Sequence, residues 1–176
     1  MFVLLFIALF VGVWLYSAKR SLQRIRRSGI NDIDLMTGVE FERRLAVLFG
    51  DLGYRVQQTK ATGDFGADLI LHGPEGTTVV QAKRYGSSVG LKAVQEAVAA
   101  RPVYRANHAM VVTNQGFTRG ARTLATANSI ELWDRQRLIR ELSRVDKVKS
   151  PPPKAPLGPK SGARELTRPW YLDPME

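Results

Sequence analysis

The chain has no cysteine among its 176 residues. That excludes disulfides, a cysteine nucleophile and cysteine-ligated zinc, and it suits a reducing compartment. Charge is missing from the first eighteen residues, MFVLLFIALFVGVWLYSA. Acid is missing from residues 17–30, which carry Lys19, Arg20, Arg24, Arg26 and Arg27. No internal repeat is present, so a solenoid is not indicated.

The net charge is +10, and half of it sits in that one acid-free segment. Residues 31–144 contribute only +3 and residues 145–176 only +2. A basic cluster beside an apolar stretch is a membrane-surface pattern. The overall basicity therefore says little about nucleic-acid binding by the middle of the chain. An eighteen-residue helix would span roughly 27 Å, close to a bilayer core. A secretory signal would place its positive charge before the apolar stretch, and here none precedes it. The pattern predicts a retained single-pass anchor over 1–18 and a basic juxtamembrane segment over 19–30. By the positive-inside bias the N-terminus lies outside and the rest in the cytoplasm, as in a bacterial inner-membrane protein.

Hydrophobic residues make up 44% of the chain, enough to give residues 31–144 a core. Thr37 and Glu40 form a T-x-x-E capping pattern that opens a helix running to about Leu52. YRVQQT (54–59), ADLILH (67–72) and TTVVQAK (77–83) read as strands. Gly73-Pro74-Glu75-Gly76 joins the last two as a turn. A helix over 91–101, a strand over 108–114, a helix over 117–127, a strand over 129–134 and a basic helix over 135–144 follow. The order αβββαβαβα implies an α/β fold with a mixed sheet. From residue 145 the chain is Pro-rich and predicts a disordered tail. Its Trp170 and Tyr171 pack onto the domain, stay disordered or form a partner-binding peptide.

The ends of the hairpin strands break the apolar pattern. A turn near Pro74–Glu75 sets Asp68 opposite residues 81 and 82, with Lys83 beside them. Gln81 and Lys83 share one face of their strand, and Val80 and Ala82 the other. The loop before Asp68, TGDFGAD, brings a second acid, Asp64, and glycines that admit a close ligand. On the first helix, 100° steps from Phe41 place Glu42 at about 100°, inside the arc of Leu45, Leu48, Phe49 and Leu52. A carboxylate aimed at a core needs a partner or a metal. Glu40 is accounted for by capping. Two or three acids with a lysine at a strand end suit metal-assisted phosphodiester hydrolysis. The acids hold Mg²⁺ or Mn²⁺, and the lysine orients the water or meets developing negative charge. Gln81 offers an uncharged oxygen as a weaker ligand or orienting group.

FERRLAVLFGDLGY (41–54), GDFGAD (63–68), QAK (81–83), VTNQGFTRGA (112–121) and IELWDRQRL (130–138) resemble the Mrr-like restriction endonuclease domain. That domain is a Q-x-K subgroup of the PD-(D/E)xK nuclease superfamily. The resemblance covers about 36–142. It implies a central mixed sheet flanked by helices, with the active site on the hairpin. It places the family's glutamate on Glu42, its D-G-x-D acid on Asp68, its earlier acid on Asp64, and its Q-x-K pair on Gln81 and Lys83. Double-stranded DNA, plain, modified or branched, is the implied substrate. Arg84, Tyr85, Lys92, Arg119 and Arg122 are candidates for contacting it. Gln95 lies one helical turn from Lys92. For His72 and His108 a place in the fold is expected, and for Arg135, Arg137 and Arg140 a solvated helix face.

Three readings compete at this level. The first is a membrane-anchored, Mg²⁺-dependent DNA endonuclease facing the cytoplasm. The second is a catalytically silent DNA-binding or membrane-tethering module on the same fold. The third is a membrane scaffold whose middle domain binds protein, which leaves Glu42 unexplained. The sequence leaves oligomeric state open.

Overall fold

The structure, a computed structural model, describes residues 2–59 and 65–149. Asp64, Trp170 and Tyr171 lie outside the described residues. The elements in chain order are α1 (Phe2–Arg27), α2 (Ile30–Leu35), α3 (Gly38–Asp51), β1 (Arg55–Gln58), β2 (Leu69–Gly73) and β3 (Gly76–Lys83). Then come α4 (Leu91–Val103), β4 (His108–Thr113), α5 (Arg119–Ala127), β5 (Ile130–Trp133) and α6 (Arg135–Lys149). From α3 onward the order is the expected αβββαβαβα. The short α2 is an addition, held by the fully buried Ile33.

The cap predicted for α3 forms. Glu40 N donates to Thr37 Oγ1 at 3.3 Å, and Thr37 N donates back to Glu40 Oε2 at 2.7 Å. Phe41, Leu45, Leu48 and Phe49 make the buried face, as their helical spacing requires. Arg44 is buried as well, only 3% exposed, because its Nε donates to Ser28 O at 3.1 Å. It flanks the apolar arc and brings its partner from upstream of the domain.

The five strands form one sheet in the order β1-β2-β3-β4-β5. β1, β2 and β3 run antiparallel, whereas β3, β4 and β5 run parallel. Parallel neighbours need crossover helices, and α4 and α5 supply them. The hairpin pairs Gly73 with Gly76 and Leu69 with Val80, which sets Asp68 opposite Gln81. Each sheet face has its own core. Leu69, Leu71, Val80, Ala82, Met110 and Val112 pack against α3 and α6. Val79, Ala109 and Val111 pack against α4 and α5, through Ala93, Val94, Ala97 and Ala121. A fully buried Leu or Phe side chain in these layers stabilises by about 1.5–3 kcal/mol.

The ends of the chain differ in detail from the expected bounds. The residues read as an anchor over 1–18 and most of the basic segment over 19–30 lie on one helix. The apolar run is only the first part of α1, which continues unbroken through Lys19 and Arg20 to Arg27. Among the described residues, no helix is long and apolar enough to cross a membrane. At the other end, α6 continues through Lys149, so helix extends past the expected start of the tail at 145. Val145 is buried against the α3–α6 core, which accounts for the extra turn.

Candidate active site

Strand alternation decides which side chains can meet at the open end of the hairpin. Asp68, Ile70, Val79, Gln81 and Lys83 occupy the face that turns toward α4. Asp68 sits immediately before β2, and its N–H donates to Val80 O at 2.8 Å, extending the ladder by one bond. Its Oδ2 accepts from Gln81 Nε2 at 2.5 Å and from Ala82 N at 2.7 Å. The amide of Gln81 is thereby oriented nitrogen toward the acid. Gln81 is 4% exposed, and its Oε1 is buried with no hydrogen-bond partner. An orphaned acceptor of this kind has a desolvation cost of about 1–3 kcal/mol that a cation would offset.

Lys83 closes β3, and its Nζ lies 2.8 Å from Glu96 Oε2 on α4. The contact is therefore an ion pair. Burial would lower the pKa of Lys83, and this is the largest single influence. The hydrogen bond to Glu96 and its charge, with the charges of Asp68 and Tyr85, outweigh it and raise the value above that of an ordinary lysine. Lys83 is thus an ammonium at neutral pH, a donor and not a base.

Asp68 and Gln81 together offer hard oxygen donors, a set that suits Mg²⁺ or Mn²⁺. The buried, unpartnered Gln81 oxygen fits such a ligand. Among the described residues, no three His, Cys, Asp or Glu side chains gather as a metal site. Glu42 is half-buried on α3, the helix that covers the opposite face of the sheet.

The comparison with known proteins gives a family. Residues 33–142 match the Mrr_cat family, described as "Restriction endonuclease". The chain belongs to this restriction endonuclease family. No curated protein matches it. Among solved structures it is similar to a protein of unknown function, AF1548, at 16% identity and a TM-score of 0.48, over 53% of this chain and 56% of that one. It is also similar to the MspJI restriction endonuclease in complex with a 27-mer oligonucleotide, at 19% identity and a TM-score of 0.45, over 61% and 30%. AspBHI, a DNA modification-dependent restriction endonuclease, gives 20% identity and a TM-score of 0.44, over 61% and 33%. The chain thus spans about half of the first of these proteins and a third of the other two. Membership rests on the match over 33–142.

Beside the hairpin, the segments that follow β3 and β4 are tied to each other. Tyr85 N donates to Asn114 Oδ1 at 3.0 Å, and Val89 bridges to Phe117. The loop carrying Arg84 and Tyr85 is thus pinned at both ends. Asn114 Nδ2 in turn donates to Asp34 Oδ1 at 2.9 Å. Arg135 grips the same carboxylate with two nitrogens, at 2.7 and 2.8 Å, and donates to Asn114 O at 3.0 Å. The hydrogen bonds from Arg135 hold the Asp34 carboxyl below the usual range. Burial opposes this, while Asn114 and the charges of Arg135 and Arg84 assist. Arg84 is half-buried, with an Nε that has no hydrogen-bond partner, and Tyr85 is exposed.

Of the other candidates, Lys92 and Gln95 are exposed on α4. Arg119 and Arg122 line a shallow hollow with Thr123 and Thr126 on α5, and Arg122 also stacks on Phe117 at 5.8 Å. His72 bonds Thr77 across the hairpin at 3.2 Å, and His108 is exposed at the start of β4. The basic face expected of α6 is only partly solvated. Arg135 holds Asp34 and Arg137 stacks on Trp133 at 5.3 Å, while Arg140 is exposed. The sequence reading missed Glu96, Asn114 and Asp34. Glu96 had a signal: it lies one turn from both Ala93 and Ala100, the buried stripe of α4. Asp34 and Arg135 are 101 residues apart, and no periodicity connects them.

Proposed function

We propose that this chain is a metal-dependent DNA endonuclease working at the open end of the hairpin. The observation that carries the proposal is the convergence of Asp68, Gln81 and Lys83 on one face within a restriction endonuclease domain. Asp68 and Gln81 Oε1 would hold Mg²⁺ or Mn²⁺, with Glu42 and Asp64 as the further ligands the resemblance implies. Such a cation polarises a phosphoryl oxygen and acidifies a bound water. Asp68 is oriented for its part by the Ala82 amide and Gln81. The Lys83 ammonium donates to the attacking water or to charge developing on the phosphate. Arg84, Tyr85, Lys92, Arg119 and Arg122 supply backbone contacts to double-stranded DNA, which dominate affinity and weaken with salt.

The alternative is a catalytically silent DNA-binding module on the same fold. Incubating the full chain with closed-circular DNA, with and without Mg²⁺, separates the two. The endonuclease reading predicts nicking only with metal. The silent module predicts a complex and no cleavage.

We also infer that the chain attaches to the cytoplasmic side of a membrane through α1. Phe6, Leu9, Phe10, Val13 and Trp14 are all exposed there, with Lys19 and Arg20 following on the same helix. Apolar side chains beside basic ones suit an anionic lipid surface.

A further inference from the structure

Lys83 and the loop that delivers Asp68 come from different parts of the chain, yet both rest on one residue of α4. Lys83 Nζ lies 2.8 Å from the Glu96 carboxylate. Gly66, two residues before Asp68, rests against the backbone of the same residue. A Cβ at position 66 would lie 2.8 Å from Glu96 O and 2.9 Å from Glu96 Cβ. Gly66 also has φ +86°, a left-handed conformation that favours glycine. The loop is therefore seated on α4 at Glu96 and not merely near it.

We propose that Glu96 is a positioning residue for the hydrolysis proposed above: its carboxylate aims the Lys83 ammonium, and its backbone sets the height of the loop bearing Asp68. The inference rests on that nuclease reading.

A long lysine side chain has much rotamer freedom to lose, and a compact ammonium has no intrinsic direction. The strand fixes only where the Lys83 stem begins. Its 20% side-chain exposure shows that the head does not run out to solvent, and the Glu96 contact supplies the direction. An ammonium has three N–H donors, so its pairing with Glu96 leaves others for a substrate oxygen while the carboxylate limits its wandering. Errors of about 1 Å in such placement cost on the order of 100-fold in rate. Glu96 itself touches no reacting atom. Its effect passes through Lys83, and that makes it separable from a salt bridge that serves stability alone.

The test uses the full chain, Mg²⁺ and closed-circular DNA under single-turnover conditions. The variants are Glu96→Gln, Lys83→Ala and the double variant. Glu96→Gln keeps the shape and the backbone seat under Gly66 while removing the charge. The expected result is a cleavage rate lower by about 10- to 100-fold, with DNA affinity within about threefold of wild type. The double variant should be no slower than Lys83→Ala, because Glu96 has nothing left to position. A Glu96→Gln rate within twofold of wild type, or losses that multiply in the double variant, overturns the inference while leaving the nuclease reading intact. DNA affinity lost together with rate also overturns it, since the role would then be structural. A wild-type chain that nicks no DNA overturns the nuclease reading and this inference with it.

Discussion

Lys83 can serve as a reacting group or as half of a structural ion pair, and the two roles order the same mutants in opposite ways. A group that acts on the attacking water or the developing charge matters more to rate than to binding. Lys83→Ala should therefore slow cleavage by about 100-fold or more while DNA affinity falls only a few-fold. Lys83→Arg should recover little, because a planar guanidinium does not replace a compact ammonium at 2.8 Å from Glu96. A purely structural pair would show a lowered melting temperature for Lys83→Ala, tolerance of arginine, and no change in rate. Melting temperature, DNA affinity and single-turnover rate on these two variants distinguish the cases. Gln81 was readable as a chemical group from its place two residues before Lys83. Its orientation was not, because only the three-dimensional placement shows Nε2 on Asp68 and Oε1 without a partner.

At the scale of elements, turn chemistry made the hairpin legible. Two apolar runs around Gly73-Pro74-Glu75-Gly76 marked the hairpin but left Asp68 opposite residue 81 or 82, and the observed pairing sets it opposite Gln81. The helix α3 was legible through its cap and its 3.6-residue stripe. Contacts between distant elements were not. The hold of α2 on α6 through Asp34 and Arg135 has no local signature, and it converts a helix face expected to be solvated into a clamp.

That clamp has a pH dependence. The Asp34 carboxyl is held below its ordinary value of 3.8, so its stabilisation is full above that value. It is lost as pH falls through the lowered value. Asp34→Asn should cost about 1–2 kcal/mol at neutral pH, and its gap from wild type should begin to close near pH 3.8. Thermal melts of both proteins from neutral to strongly acid pH measure this. A gap that widens in acid would contradict it. The loop before β2 offers a second prediction at this scale. Gly66→Ala introduces both a strained φ and a clash with the Glu96 backbone. It should destabilise by about 1–3 kcal/mol and slow cleavage further by shifting Asp68. A variant with wild-type stability and rate would show that the loop is not seated on α4.

For the whole molecule, the restriction endonuclease match over 33–142 leaves α1 outside it and takes in half of α2. Arg44 on α3 reaches back to Ser28 between α1 and α2, so the N-terminal helix is connected to the domain and not only appended. The apolar start of the sequence was read as a membrane-spanning anchor, and the structure runs it into the basic residues as one helix. The full chain should float with anionic vesicles and much less with neutral ones. Phe6→Asp combined with Phe10→Asp should abolish flotation without changing the melting temperature, since both side chains are exposed. Equal recovery with both vesicle types would contradict the lipid-surface proposal.

The central claim is that phosphodiester cleavage arises at Asp68 with a divalent cation. The most direct measurement is the nicking rate of closed-circular DNA by the full chain and by Asp68→Ala, each with Mg²⁺ or Mn²⁺ and each with chelator. Wild type should nick only with metal, and Asp68→Ala should lose about 100-fold or more of that rate while still binding DNA. Metal-independent nicking, or equal rates for Asp68→Ala and wild type, would contradict the claim.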